Sequence, residues 1–163
     1  MSDKTITGLA QQVLESCRAR KLRLATAESC TGGMIAAALT DIAGSSDVVE
    51  RGFVTYSNEA KTEMLGVPAA LIERVGAVSE EVARAMAAGA LAHAPVDLAI
   101  AVTGIAGPGG GSAEKPVGLV HFGLARRGHT VEAAHHVFPG DRGAVRSATV
   151  KRALEMLLEA AQR

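Results

Sequence analysis

The sequence predicts an α/β protein: a single-domain three-layer α/β/α sandwich around a mixed, mainly parallel sheet. Three observations carry this. Segments of helical period alternate with short apolar strands through the first two thirds of the chain, the order that builds parallel βα units. VDLAIAVTG (96–104) is a nearly continuous apolar run, as expected of a strand covered on both faces. Two further strands then follow one another directly, which adds a hairpin and makes the sheet mixed. At 163 residues, with no linker or repeat, the chain suits one domain spanning 1–163.

In chain order, Ile6, Leu9, Ala10, Val13 and Cys17 fall at helical spacing and predict a helix over about 5–19. LRLATA (22–27) is a short strand. After ESCTGG, the residues Met34, Ile35, Ala38, Leu39 and Ile42 mark one helical face, with Gly44 placed to end it. RGFVTYS reads as a strand and NEAKTEMLG as a short helix capped by Asn58. Residues 79–94 form a helix, with Ser79 as cap and Glu80 and Glu81 in the favourable first turn. PVGLVHFGLARRG and HTVEAAHHVFPG make a hairpin around Arg127 and Gly128. Asp141 caps a last helix whose Val150, Ala153, Leu154, Leu157, Leu158 and Ala161 share a face.

Composition excludes several classes. A hydrophobic fraction of 48% and a mean hydropathy of +0.20 oppose disorder. Aromatics are only 2%, so Ala, Val, Leu and Ile must fill the core. Lys+Arg and Asp+Glu are equal at 17 each, which gives no sign of the concentrated basic face that duplex DNA requires. No stretch approaches the ~20 apolar residues of a membrane span, and residues 1–20 lack a signal-peptide core. Two cysteines, Cys17 and Cys30, point to free thiols in a reducing cytoplasm. His93, His121, His129, His135 and His136 lack metal-ligand spacing, so neither metal nor cofactor is expected.

Two strands end in glycine-bearing turns, ESCTGG and the run from Thr103 and Gly104 into IAGPGGG. Ligands of open α/β sheets gather at such strand ends. Ser29 stands just before a helix, where unpaired N–H groups could hold an oxyanion; Ser29 or Thr31 could equally be a plain cap. Gly32 and Gly33 weaken a helix start by about 1 kcal/mol each, a cost that capping does not require. Lys61, one turn into its helix, leans back toward the amino end and hence toward the same rim. There, burial and the helix dipole lower its pKa, while Glu59 and Glu63 could oppose the shift. On spacing alone Lys61 is also readable as a solvated surface lysine. GIAGPGGG matches neither a dinucleotide fingerprint nor a P-loop. It is a flexible loop or a cradle of N–H donors. Ser112 and Lys115 match S-x-x-K, but Gly109 to Gly111 before them and Pro116 after them oppose the helix that pattern needs. Arg142, in the first turn of the last helix, gains nothing from the dipole and could clamp a phosphate or simply face solvent.

ATAESCTGG, LTDIAGSS, ERGFVTYSNEAK, LGV, GAVSE, VTGIAGPGGGSAEKPVG and FPGDR, in that order over about residues 25–142, resemble the CinA C-terminal domain family. Stand-alone members of that family include nicotinamide-nucleotide amidases. The resemblance implies hydrolysis of nicotinamide mononucleotide to nicotinic acid mononucleotide and ammonia, in pyridine-nucleotide salvage. It implies Ser29 as nucleophile and Lys61 as base. Cys30, Thr31, Gly32, Gly33, Thr103 and Gly104 are then expected at the oxyanion and substrate, with Tyr56, Asn58 and Arg142 proposed from motif position and chemistry. It also implies a homodimer, with no role for the separate N-terminal domain of long CinA proteins. Two other readings remain open: a non-catalytic nucleotide-binding or regulatory module, and a thiol amidase using Cys30.

Overall fold

Alternation along the central strands sorts large side chains from small ones, and this sorting sets the two helical layers. The computed structural model describes residues 4–163. Its strands are β1 (Leu24–Glu28), β2 (Val49–Val54), β3 (Leu98–Gly104), β4 (Leu119–Arg126) and β5 (Glu132–Val137), in the sheet order β2-β1-β3-β4-β5. β1 pairs parallel with β2 and β3, β4 runs antiparallel to β3, and β5 antiparallel to β4. Four of the five strands therefore point one way. The mixed, mainly parallel sheet is as expected.

Leu24, Leu98, Ile100, Val102, Val120, Phe122 and Leu124 belong to one core, against α1 (Lys4–Ala19), α2 (Met34–Thr40) and α6 (Arg142–Gln162). The intervening Ala27, Ala99, Ala101 and Ala125 face α3 (Asn58–Leu65), α4 (Ala69–Val75) and α5 (Glu80–Ala92). A strand has period two, so each face receives every second residue. The alanine face lets α5 approach closely. A Cβ on Gly123 would stand 2.3 Å from the Ala83 carbonyl oxygen, and one on Gly89 would stand 2.0 Å from that of Leu65. Small residues at the contact thus replace the aromatics the chain lacks.

Local signals placed most ends well. Ser79 caps α5 by accepting from Val82 N–H, and Asp141 caps α6 by accepting from Ala144 N–H. Three expectations need correction. Ser57, not Asn58, caps α3, its hydroxyl accepting from Ala60 N–H at 3.0 Å. Serine serves there as well as asparagine, and Asn58 is already helical. Helix α2 ends at Thr40 rather than at Gly44, which instead precedes a 3₁₀ turn, Ser45–Asp47. Finally, α4 lies where no helix was expected, being only 7 residues long with Ile72 its sole buried residue. So short a face shows little periodicity.

Candidate active site

Where β1 ends, alternation sends consecutive side chains to opposite layers. Glu28 points toward α2, and Ser29 toward α3. Ser29 N–H donates to Val102 O at 3.2 Å, which extends the pairing of β1 with β3 by one residue. Lys61 reaches back from the first turns of α3, and its Nζ lies 3.0 Å from Ser29 Oγ. The same nitrogen donates to the Thr55 carbonyl at 2.9 Å and approaches those of Tyr56 and Ser57 at 3.4 and 3.5 Å.

Lys61 is 1% exposed. Burial lowers its pKa from the usual lysine value, against smaller raising influences of Cys30 and Glu59. Among the described residues no carboxylate forms an ion pair with it. Desolvation without a counter-ion favours the uncharged amine, which has a lone pair to accept a hydroxyl proton.

A cavity of about 280 Å³ opens beside this pair, near the lower limit of small-molecule pockets at ~300 Å³. Its wall includes Ser29, Cys30, Tyr56, Asn58, Lys61, Thr103, Gly104 and Arg142. Eight of the expected site residues thus converge from β1, β3, α3 and α6, although they are scattered over more than a hundred positions of sequence. Gly104 sits tight against β4, since a Cβ there would meet Val120 Cγ2 at 2.6 Å. Arg142 spans the mouth. One guanidinium nitrogen donates to Gly107 O at 2.8 Å, and another contacts the Tyr56 hydroxyl at 3.2 Å. Tyr56 itself is 62% exposed.

Thr31, Gly32 and Gly33 are not brought into this wall. The Thr31 hydroxyl donates to Glu28 Oε1 at 2.5 Å, and Gly32 N–H donates to Ser29 O at 3.0 Å. Both glycines have positive φ, +58° and +109°, so they serve the tight turn between β1 and α2. The first amides of α2 are also engaged, because Ile35 and Ala36 N–H donate to the Glu28 carboxyl at 2.8 and 3.0 Å. Of the stretch expected to hold an oxyanion, only Cys30 faces the cavity.

Sequence reasoning passed over several residues. Glu28 carries no signal of its own within ESCTGG, yet its side chain is fully buried beneath the turn. Arg146 Nε and Nη2 donate to the Cys30 and Thr31 carbonyls at 3.1 and 3.3 Å. Ala77 and Val78, from the loop between α4 and α5, join Ile105 and Ala106 as an apolar wall. Thr103 Oγ1 holds that loop by donating to Ala77 O at 2.9 Å. The GAVSE string was the available signal for the loop; nothing local pointed to Arg146.

The Cys30 thiol is pushed up to about 11, chiefly by burial, with Glu28 adding to the rise. It is therefore a protonated thiol at neutral pH, which disfavours it as a nucleophile. His121 and His135 face each other across β4 and β5 with ring centroids 5.3 Å apart, and neither lines the cavity. Among the described residues no group of three His, Cys, Asp or Glu side chains is placed to hold a metal, and no helix is long and apolar enough to cross a membrane.

Known proteins resemble this chain over nearly its whole length. It is 53% identical over 146 residues to the nicotinamide-nucleotide amidohydrolase PncC of Enterobacter agglomerans, covering 90% of this chain and 89% of that one. The protein of that name from Escherichia coli K12 is 51% identical over 158 residues, covering 96% and 95%. A CinA-like protein of Geobacter sulfurreducens is 56% identical over 141 residues, but there the match takes in 86% of this chain and only 34% of the longer protein. The crystal structure of the competence/damage inducible protein CihA from Agrobacterium tumefaciens superposes with a TM-score of 0.96 at 50% identity, covering 100% and 99%. The CinA C-terminal domain profile matches residues 6–161, and the chain belongs to that family.

Proposed function

We propose that this protein is a nicotinamide-nucleotide amidase that hydrolyses nicotinamide mononucleotide to nicotinic acid mononucleotide and ammonia, with Ser29 as nucleophile and Lys61 as its base. The observation that carries the chemistry is the 3.0 Å contact between Ser29 Oγ and a lysine amine that is buried without a counter-ion. The substrate comes from the two relatives named as nicotinamide-nucleotide amidohydrolases, which match this chain over 90% and 96% of its length.

In this reading Lys61 Nζ takes the Ser29 proton as Oγ attacks the carboxamide carbon. The Ser29 amide is taken up by Val102 O, so the Cys30 amide is the next main-chain donor along the chain, and it receives the developing oxyanion. The carbon–nitrogen bond then breaks, and the proton on Lys61 passes to the leaving nitrogen, so that ammonia departs from a serine ester. Water enters through the open mouth and gives its proton to Lys61. Its oxygen displaces Ser29, releasing the carboxylate and restoring the hydroxyl. No step calls on a metal or cofactor. Ile105, Ala106, Ala77 and Val78 offer the apolar surface that a pyridine ring needs, and Arg142 is the cation at the rim for the phosphate. Tyr56, Asn58, Thr103 and Gly104 complete the substrate contacts, while Thr31, Gly32 and Gly33 support the turn.

The whole chain, 1–163, acts as one such domain, in the cytoplasm and as a homodimer. Two buried, unpaired thiols suit a reducing compartment. Light scattering of the purified protein reads the oligomeric state. The decisive assay measures ammonia release from nicotinamide mononucleotide, nicotinamide riboside and nicotinamide. Turnover of the mononucleotide, lost in Ser29→Ala, is the expected result; a Ser29→Ala protein with undiminished turnover removes the assignment.

A further inference from the structure

We infer that Glu28 is the positioning residue of the nucleophile: it holds Ser29 Oγ on Lys61 by tying the nucleophile turn and the lysine's own support to one residue. Glu28 is the last residue of β1 and is fully buried. Its main-chain carbonyl accepts from Thr55 N–H at 2.8 Å, and the Thr55 carbonyl in turn accepts from Lys61 Nζ at 2.9 Å. Its side chain faces the opposite layer, where Oε1 accepts from the Thr31 hydroxyl and from Ile35 N–H, and Oε2 accepts from Ala36 N–H. Ser29 lies directly between these two anchorages.

A buried carboxyl is costly unless its lone pairs are used, and here both oxygens are used to fix a turn. Helix capping alone would need only the two α2 amides. The third bond, from Thr31 at 2.5 Å, spans the turn that carries the nucleophile and leaves Thr31 nothing to offer the cavity. Residues 29–33 include two glycines of positive φ, so the backbone there has little stiffness of its own. The side-chain bonds to Glu28 supply it, with Arg146 gripping the Cys30 and Thr31 carbonyls from α6. Glu28 touches no cavity space, so it acts on the reaction only through the placement of Ser29 and of the Thr55 carbonyl that supports Lys61.

This inference rests on the amidase reading, and the test separates the two. Glu28→Gln keeps the shape but sets an amide donor against N–H groups; Thr31→Val removes only the bond across the turn. Ammonia release is measured beside the rate at which a fluorophosphonate labels Ser29, read by intact mass, with circular dichroism melts to confirm folding. Misplacing a reacting atom by an ångström costs roughly 100-fold. The expected result is therefore a fall in kcat of about that size for Glu28→Gln and about tenfold for Thr31→Val, with KM within about threefold of wild type. Fluorophosphonate labelling slows in parallel, and the Lys61 limb of the pH profile stays in place. A stability control, Leu157→Ala in the core far from the turn, lowers the melting point and leaves kcat and labelling unchanged. A folded Glu28→Gln protein that keeps kcat and labelling overturns the inference, as does a loss confined to KM. If Glu28→Gln does not fold, Thr31→Val decides on the same criteria. A wild type that labels at Ser29 but releases no ammonia from the mononucleotide overturns the substrate reading only; one inert in both assays overturns both.

Discussion

Two serine and lysine pairs occur in this chain, and the structure treats them in opposite ways. Ser112 and Lys115 lie 3 residues apart and share a sequence pattern with serine hydrolases. They sit in an irregular loop, where the Ser112 hydroxyl accepts from the Lys115 main-chain N–H at 3.0 Å. The Lys115 amine turns away to donate to Val75 O at the end of α4, at 2.7 Å. That bond suits the carbonyl end of a helix and straps the glycine loop to the cavity's outer wall. Ser29 and Lys61 lie 32 residues apart and match no short pattern, yet their side chains meet. The comparison shows that side-chain contact and desolvation come from burial between opposed elements, not from proximity in sequence. The part-buried Lys115 amine is taken up by a helix carbonyl, whereas the Lys61 amine is buried without a counter-ion against a hydroxyl.

The sharpest way to break this contrast is to remove one member of each pair. Ser29→Ala and Lys61→Met are expected to lower kcat by roughly 10³–10⁶, the range for groups that act as a unit, with non-additive effects in the double variant. Ser112→Ala and Lys115→Met should leave kcat within about twofold. Equal losses from both pairs would end the distinction.

Second in size is the pH dependence. Lys61 must be uncharged to accept a proton, so kcat/KM should rise about tenfold per pH unit below its pKa and level off above it. That limb lies below the ordinary lysine value of 10.5, because burial lowers the folded pKa. Between the lowered folded value and 10.5 the unfolded chain binds more protons at this position, so the Lys61 contribution to stability increases with pH. Subtracting the melting curves of Lys61→Met from those of wild type isolates it. The thiols act oppositely: Cys17 and Cys30 are both raised to about 11, so stability erodes above pH ~9 as the unfolded thiols ionise. A flat difference between wild type and Lys61→Met would mean that the amine is not held uncharged.

A smaller effect tests the support behind the turn. Arg146→Ala removes both bonds to the Cys30 and Thr31 carbonyls and should cost about 1–3 kcal/mol of stability, with a loss of kcat smaller than that of Ser29→Ala. Denaturant melts and ammonia release measure the two. Smallest is the strap: Lys115→Met loses one half-exposed bond and should cost about 1 kcal/mol or less, visible only as a slight fall in melting temperature.

Much of this was legible in sequence, and the limits follow from how far each signal reaches. Caps such as Ser79 and Asp141 act on amides three residues away, so their motifs suffice. The same short range misled at Asn58, since Ser57 beside it is an equally good cap and only the backbone dihedrals choose. Helix α4 escaped because 7 residues show little period. Glu28 escaped because strand alternation says that neighbours face opposite layers, but not which layer holds Ser29 and which Glu28. Arg146 lies more than a hundred residues from the carbonyls it grips, with no pattern linking them.

The chain by itself determined its periods, its turns and the residue types at its strand ends, because those depend on bonds and neighbours a few positions apart. Resemblance of ordered motifs extended that to a family. Only the tertiary structure decided which of two lysines loses water, which serine it meets and which expected residues turn away from the cavity. Desolvation, and contact between residues remote in sequence, exist only once separate elements are packed against each other.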